Sequence, residues 1–409
     1  MKFIPSLDKN FTPMILELRK YQASVAKAQK KQEVIFCLER SHGYNYFYNI
    51  ETFVDGTGHD EENFAMLERI VKSLFWIVGG YKLYVAGSKF IAEQLQKAYS
   101  SGGIREFDYE FMSDVYSQPV TILFVKKEDL PAPNFEAVSF NNDLNGCRIG
   151  FDAGGSDRKV SAVMDGEVLY SEETVWYPKI TADPEYHYQG ILESMKKAAS
   201  YLPRVDAIGV SSAGIYVDNK IRVASLFLKV NKEDFKRRVE TMYIDVAKEF
   251  GDVPLVVTND GDVTALAGAM ELNDNQVLGI AMGTSEAAGY VDEAGQLKGW
   301  LNELAFVPVD THKEAMVDEW SLDYGCGVKY FSQDAVIKLA KPAGIELDEN
   351  LAPAQKLKIV QKLNEEGDPR ANEIFENIGI YLGYTLAYYA HFYQIKHVLL
   401  LGRVVSGKG

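Results

Sequence analysis

Apolar positions along this chain follow two periods. Residues 13–32 carry Ile15, Leu16, Leu18, Tyr21 and Val25 behind Pro13, the three-to-four spacing of an amphipathic helix. Over 34–54 the pattern is that of a hairpin: Val34, Ile35 and Phe36 lead through Ser41-His42-Gly43 into the aromatic run 44–48, and Asp55-Gly56-Thr57-Gly58 ends it. The same reading predicts a helix over about 61–78, a strand at 83–85, a helix over 89–99 and a strand over 120–125. Pro131-Ala132-Pro133 and Asn141-Asn142-Asp143 then mark a linker. Residues 1–145 are therefore expected to form a small α/β domain of their own.

After the linker the pattern changes. A strand at 149–151 runs into a glycine-rich turn, and strands at 159–164 and 167–172 meet at Asp165-Gly166. Helix 189–201 leads to strand 206–210, helix 232–250 to strand 255–257, and helix 262–271 to strand 277–281. A hairpin turn falls at 292–295. A long helix over 369–393 delivers a strand at 397–401. Antiparallel strands followed by alternating helix and strand imply a mixed α/β sheet. No short-period repeat and no low-complexity segment interrupts it.

A chain of 409 residues is too long for one typical core. With 47% hydrophobic and 25% charged residues it has an ordinary globular balance, which argues against disorder. A net charge of −15 gives little general attraction to phosphate backbones, so no nucleic-acid partner is expected. Lys20, Lys27, Lys30 and Lys31 read as a solvated helix face. The start of the chain lacks the layout of a secretion signal. No stretch reaches the roughly 18 apolar residues of a membrane span. The most apolar helical run, 64–78, is interrupted by Glu68, Arg69, Lys72 and Ser73. Cys37, Cys147 and Cys326 are scattered, which suits a reduced, cytoplasmic protein without disulfides.

Five turns follow predicted strands and carry candidate chemistry. In Asp152-Ala153-Gly154-Gly155-Ser156 the glycines let backbone amides approach an anion, Ser156 adds a hydroxyl, and Asp152 is suited to a magnesium ion; read alone, it is also an ordinary hairpin turn. Asn259-Asp260-Gly261-Asp262 follows strand 255–257, where α/β proteins collect catalytic groups, yet Asp260 taken by itself reads first as a helix N-cap. Gly283-Thr284-Ser285 offers amides and two hydroxyls, or a plain turn. Ser211-Ser212-Ala213-Gly214 and Leu399-Leu400-Leu401-Gly402-Arg403 are each a strand delivering a small-residue loop.

Taken in order, the five turns carry more than any one of them. From about residue 148 to 409 the chain resembles the ROK family (repressors, uncharacterised frames and sugar kinases) of the actin-like ATPase superfamily. The resemblance implies actin-like, ribonuclease H-like ATPase lobes at 146–275 and 276–409, with the small α/β domain 1–145 in front. Residues 149–156 look like the family's first phosphate loop, which implies ATP and Mg2+ at Asp152, Gly154, Gly155 and Ser156. Gly283, Thr284 and Ser285 look like the second, and Gly402 the adenosine-side turn. Thr258-Asn259-Asp260-Gly261-Asp262 followed by Ala265, Leu266 and Ala267 matches the stretch whose Asp is the catalytic base, here Asp260. Ser212, Gly214, Asn259 and Glu303 (in Asn302-Glu303-Leu304) fall on the sugar side, and Tyr381-Leu382-Gly383 in the last helix also fits.

The chain departs from the family in several places. Phe306 stands where a histidine helps bind zinc and sugar, Gln333 where a glutamate is usual, and of a Cys-rich loop only Cys326 remains. One thiol cannot supply the about four ligands zinc needs, so no zinc site is expected. Ser285 and Ala287 replace glycines, as does Arg403 after Gly402. The chain stops at Gly409, where family members continue, so a shortened second lobe or an incomplete nucleotide site is expected. The resemblance implies ATP-dependent phosphorylation of a sugar hydroxyl, with sugar and ATP as small-molecule partners, a place in carbohydrate metabolism and room for a homodimer. The altered turns keep open a non-catalytic sugar or nucleotide sensor. Repressor members carry an N-terminal helix-turn-helix, which residues 1–145 do not resemble.

Overall fold

The computed structural model describes residues 1–135 and 145–406. Asn141-Asn142-Asp143 of the expected linker and the chain end at Gly409 lie outside the described residues. The chain divides into two compact units, Val138–Ala267 and Met1–Ala137 with Gly268–Gly409. The N-terminal segment expected to stand alone thus shares a unit with the last third of the chain.

The Val138–Ala267 unit is built on a five-stranded sheet in the order Leu255–Thr258, Ala207–Ser212, Cys147–Ala153, Asp157–Met164, Glu167–Val175. The first three strands are parallel and the last two are added antiparallel. Asp165 and Gly166, with φ of +50° and +86°, make the tight turn between the last two; both central residues at positive φ match the twist of a hairpin. Alternate residues face opposite ways along each strand. Ile149, Phe151, Ala153, Val160, Ala162, Ile208, Val210 and Val257 share a core with Ile191 and Met195 of helix Pro184–Ala199 and with Tyr243 and Val246 of helix Met242–Lys248. Residues of the other face, among them Gly150, Asp152, Ser211 and Thr258, line a cavity of about 410 Å³. The single helix predicted over 232–250 is broken. A π turn at Phe235–Val239, closed by the Glu240 N–H donating to the Phe235 carbonyl at 2.9 Å, separates Lys232–Asp234 from Met242–Lys248 and keeps both Val239 and Met242 buried.

The other unit holds two sheets. Asn45–Phe53, Lys31–Glu39, Lys82–Ala86 and Thr121–Val125 form one, and Glu286–Val291, Val277–Met282 and His397–Leu401 the other. The first helix ends at Ala26, not 32, because the chain from Lys31 pairs with Phe53 in the hairpin. Helices Glu106–Tyr116, Gln333–Ala340 and Pro353–Glu365 were not foreseen. Backbone bonds tie the N-terminal segment to the later residues of the same unit: the Asn302 and Glu303 N–H groups donate to the Ile77 and Trp76 carbonyls, both at 2.9 Å, and Met14 N–H donates to Val309 at 3.0 Å.

The polar interruptions of the helix Asp60–Ile77 explain this union. Glu68, Arg69 and Lys72 are buried, and they meet Arg105, Asp108 and Asp323. Arg69 and Lys72 reach Asp323 at 2.9 and 2.7 Å, Arg105 reaches it at 2.8 Å and also pairs with Glu68. Ions taken out of water persist only when paired and hydrogen-bonded, so Asp323 and the N-terminal helices require one another. Among the described residues no helix is long and apolar enough to cross a membrane, and the three cysteines are buried and free.

Candidate functional site

Register places the first group of site residues. Asp152 and Thr258 both pair with Ser211, so three parallel strands end together. Their ends carry Asp152, the Ser212-Ala213-Gly214 loop and Asn259-Asp260, at the carboxyl edge where parallel sheets hold their ligands. Gly214 has φ of +147°, and a Cβ there would run into the Val223 carbonyl, so glycine is required. The Asn259 amide stitches two of these loops: its N–H donates to the Gly214 carbonyl at 2.7 Å and its oxygen accepts from Gly261 N–H at 2.7 Å.

That second bond is the cap of helix Asp260–Leu272. Capping, which the sequence allowed for Asp260, is done mainly by Asn259, while Asp260 accepts the same Gly261 N–H at 3.0 Å and a bond from its own backbone. Burial raises the Asp260 carboxyl above its ordinary value, and the nearby Asp152 charge adds to this. Among the described residues no Lys, Arg or His pairs with either carboxylate. An aspartate with a raised pKa and no cation is suited to taking a proton.

Gly154, Gly155 and Ser156 join strands Cys147–Ala153 and Asp157–Met164, with Gly155 and Ser156 exposed. Trp176, unnoticed in the sequence, fastens this loop from behind. Its indole N–H donates to the Gly154 carbonyl at 2.7 Å and its backbone N–H to Ser156 at 3.1 Å. Ser212 is fully buried with its hydroxyl toward the Ala153 carbonyl at 3.4 Å. The neighbouring Ser211 is the hydroxyl that lines the open face.

A second group gathers in the other unit. Gly283-Thr284-Ser285 turns between strands Val277–Met282 and Glu286–Val291, with Thr284 and Ser285 exposed. Gln333 N–H, at the start of helix Gln333–Ala340, donates to the Gly283 carbonyl at 2.9 Å. Gly402 backs onto Met282: its φ is +91°, a Cβ would strike the Met282 carbonyl, and Val404 N–H donates to that carbonyl at 3.0 Å. The two turns therefore adjoin, beside a cavity of about 250 Å³ lined by Phe375, Ile378, Leu382 and Val404.

Glu303 is half-buried, near a carboxyl that sequence reading missed. Glu286 is 3% exposed and neither of its oxygens has a partner among the described residues. Burial holds its carboxyl well above the usual range, with the Glu303 charge adding to it. Only its place right after a turn of small residues could have drawn attention to it. Phe306 stacks on Trp76, ring centres 4.1 Å apart, and Phe107 and Phe111 pack around it. Cys326 is buried 3.9 Å from the Lys72 ammonium, and burial pushes its thiol up to about 11. Among the described residues no group of three or more His, Cys, Asp or Glu is placed to hold a metal ion.

No family model and no curated protein matches the chain. Solved structures do. The ROK hexokinase from Thermus thermophilus is similar over 64% of this chain and 84% of its own, at 18% identity and a TM-score of 0.50. A ROK family transcriptional regulator, homologous to the E. coli MLC protein, is similar over 64% and 67% at 19% identity and TM-score 0.48. A ROK family glucokinase from Streptomyces griseus, in complex with glucose and AMPPNP, is similar over 63% and 83% at 21% identity and TM-score 0.45. The mixed α/β architecture of this chain is thus similar to that of the Thermus hexokinase, and the ROK resemblance holds at the level of the fold.

Proposed function

We propose that this chain is a kinase of the ROK type, phosphorylating a sugar hydroxyl with ATP and using Asp260 as general base. One observation carries the reading: Asp260 is a largely buried carboxylate, raised in pKa and free of any cationic partner among the described residues, at the same sheet edge as Asp152 and the Gly154-Gly155-Ser156 turn. Asn259 and Asp260 both accept from the Gly261 N–H, Asn259 at the shorter distance, so the Asp260 carboxylate is not needed as the cap.

The roles follow from chemistry. Backbone amides of Gly154 and Gly155 and the Ser156 hydroxyl are suited to phosphate oxygens; in the other unit Gly283, Thr284 and Ser285 offer amides and hydroxyls of the same kind. Gly402, expected on the adenosine side, packs against the Met282 backbone, where a side chain would clash, and so brings its turn against the Gly283-Thr284-Ser285 turn. Asp152 is the carboxylate that would hold Mg2+, an ion commonly held by one or two carboxylates together with substrate phosphates. When bound, Mg2+ neutralises charge on the transferring phosphoryl group. Asp260 accepts the proton of the attacking hydroxyl. Asn259 positions Asp260 and, with Gly214, forms the sugar side of this unit; Ser212, expected there, is buried against the Ala153 carbonyl and leaves that side to Ser211. Most of the rate comes from holding the two reactants in line.

The test is a panel of sugars, hexoses first because the similar Thermus protein is a hexokinase, incubated with Mg-ATP and scored for ADP release. Turnover of one sugar class is expected. Sugar or nucleotide binding without turnover of any panel member would replace this reading with the sensor, and absence of binding would remove both.

A further inference from the structure

The loop Gly154-Gly155-Ser156 is surrounded by carboxylates. Asp152 precedes it. The Asp157 carboxylate folds over it, so that a Cβ on Gly154 would lie 2.9 Å from its oxygen. Asp260 stands at the same sheet edge. A nucleotide's phosphates approaching this loop meet like charge, so a cation besides the metal is needed close by. The two basic residues next in sequence are turned to other tasks. Arg158 donates to the Ser194 hydroxyl at 2.9 Å and lies over the Trp176 ring. Lys159 lines the sheet-face cavity along the strand.

A segment more than twenty residues further on supplies the charge. After strand Glu167–Val175 the chain folds back across the loop, fixed by the two Trp176 bonds to Gly154 and Ser156. The short turn Pro178–Ile180 follows. Its Pro178 is buried, and the Pro178 carbonyl lies 3.1 Å from Nε2 of His187, a fully buried ring. Held on both sides, the turn carries Lys179 over Gly155. A Cβ built on Gly155 would lie 2.7 Å from the Lys179 Cε and 2.8 Å from its Nζ. Among the described residues that ammonium has no hydrogen bond and no ion pair. Gly155 has no side chain to hold it away, so the ammonium lies directly against the loop's backbone. Lysine suits the task, being a compact charge on a flexible stem with donors in three directions.

We propose that Lys179 is a phosphate ligand of the nucleotide site, its ammonium closing the Gly154-Gly155-Ser156 loop over a phosphate oxygen. The proposal rests on the kinase reading and adds a binding residue to it. Lys179 is exposed, so Lys179→Met leaves the fold intact. The experiment measures binding of Mg-AMPPNP and of adenosine by calorimetry to the wild type, Lys179→Met and Lys179→Arg, together with their melting temperatures and turnover. Lys179→Met weakens Mg-AMPPNP by roughly 10- to 100-fold, the worth of one charge-assisted hydrogen bond. Adenosine affinity and melting temperature stay unchanged, and Lys179→Arg recovers most of the loss. Equal Mg-AMPPNP affinity in Lys179→Met and an active wild type overturns the role of Lys179 and leaves the kinase reading standing. Parallel loss of adenosine affinity also overturns it, because the residue then shapes the loop instead of touching phosphate. A wild type that neither binds Mg-AMPPNP nor turns over any sugar removes both.

Discussion

Two groups of acidic residues in this molecule live under opposite rules. In the unit containing the N-terminal segment, Glu68, Asp108 and Asp323 face Arg69, Lys72 and Arg105, three carboxylates against three cations, all buried. In the Val138–Ala267 unit, Asp152 and Asp260 share a sheet edge with no cation paired to either among the described residues. Burial raises the carboxyl of Asp260 and also those of Glu68 and Asp108, the last to about 6. A raised pKa therefore does not separate structure from chemistry here. What separates them is the partner. The first group has its counter-charges built in, and the second needs them brought by ligand, metal or substrate proton.

The largest effect that can break this comparison is on stability. Asp323→Ala leaves Arg69, Lys72 and Arg105 buried with too little negative charge, and should cost about 3–5 kcal/mol in denaturant unfolding. A cost near zero would mean that the cluster is wet and not structural. Asp260→Asn comes next. Phosphoryl transfer should fall by roughly 100-fold or more, read as ADP release with the sugar that the panel identifies. Its melting temperature at pH 7 should equal or exceed that of the wild type. The sign follows from the raised pKa: such a group favours folding while protonated, below its unfolded pKa, and that contribution is lost as pH rises through the folded value. Retained activity would sink the mechanism and leave the fold untouched.

Asn259→Ala should cost about 1 kcal/mol of stability through the lost cap. If Asp260→Ala proves the more destabilising of the two, the cap has been assigned to the wrong residue. The smallest effect sharpens the contrast. Asp152→Asn removes the like charge that helps hold Asp260 up, so the Asp260 carboxyl, followed by carbon-13 NMR across pH, should titrate lower than in the wild type. An unchanged titration would show that burial alone sets it.

The turns were legible because their signals are local. Gly154-Gly155-Ser156, Asn259-Asp260, Gly283-Thr284-Ser285 and Gly402 each follow an apolar strand, and small residues at strand ends are visible in a few letters. The strand at His397–Leu401 was read to its exact ends for the same reason. What each residue does at those turns was less legible. Ser211 and Ser212 are adjacent, and only strand pairing decides which hydroxyl enters the core and which faces the cavity. Asn259 and Asp260 compete for one cap, and only the Gly214 carbonyl, 45 residues earlier in the chain, shows which is held.

The sequence by itself determined the mixed α/β class and the strand-end turns, since both are written in period-two and period-3.6 patterns and in glycine placement. Tertiary structure alone decided the rest. Glu68, Arg69 and Lys72 looked like breaks in an apolar helix, and became a paired core only once Asp323, some 250 residues away, was beside them. That pairing put the first 135 residues in one unit with the last third of the chain. Lys179 carried no signal in the sequence, and only Trp176 and His187, by holding its turn, place it against Gly155. The physical reason is common to both. A local pattern reports the backbone's own preference, whereas the worth of a charge depends on what stands opposite it, and folding, not sequence neighbourhood, sets that.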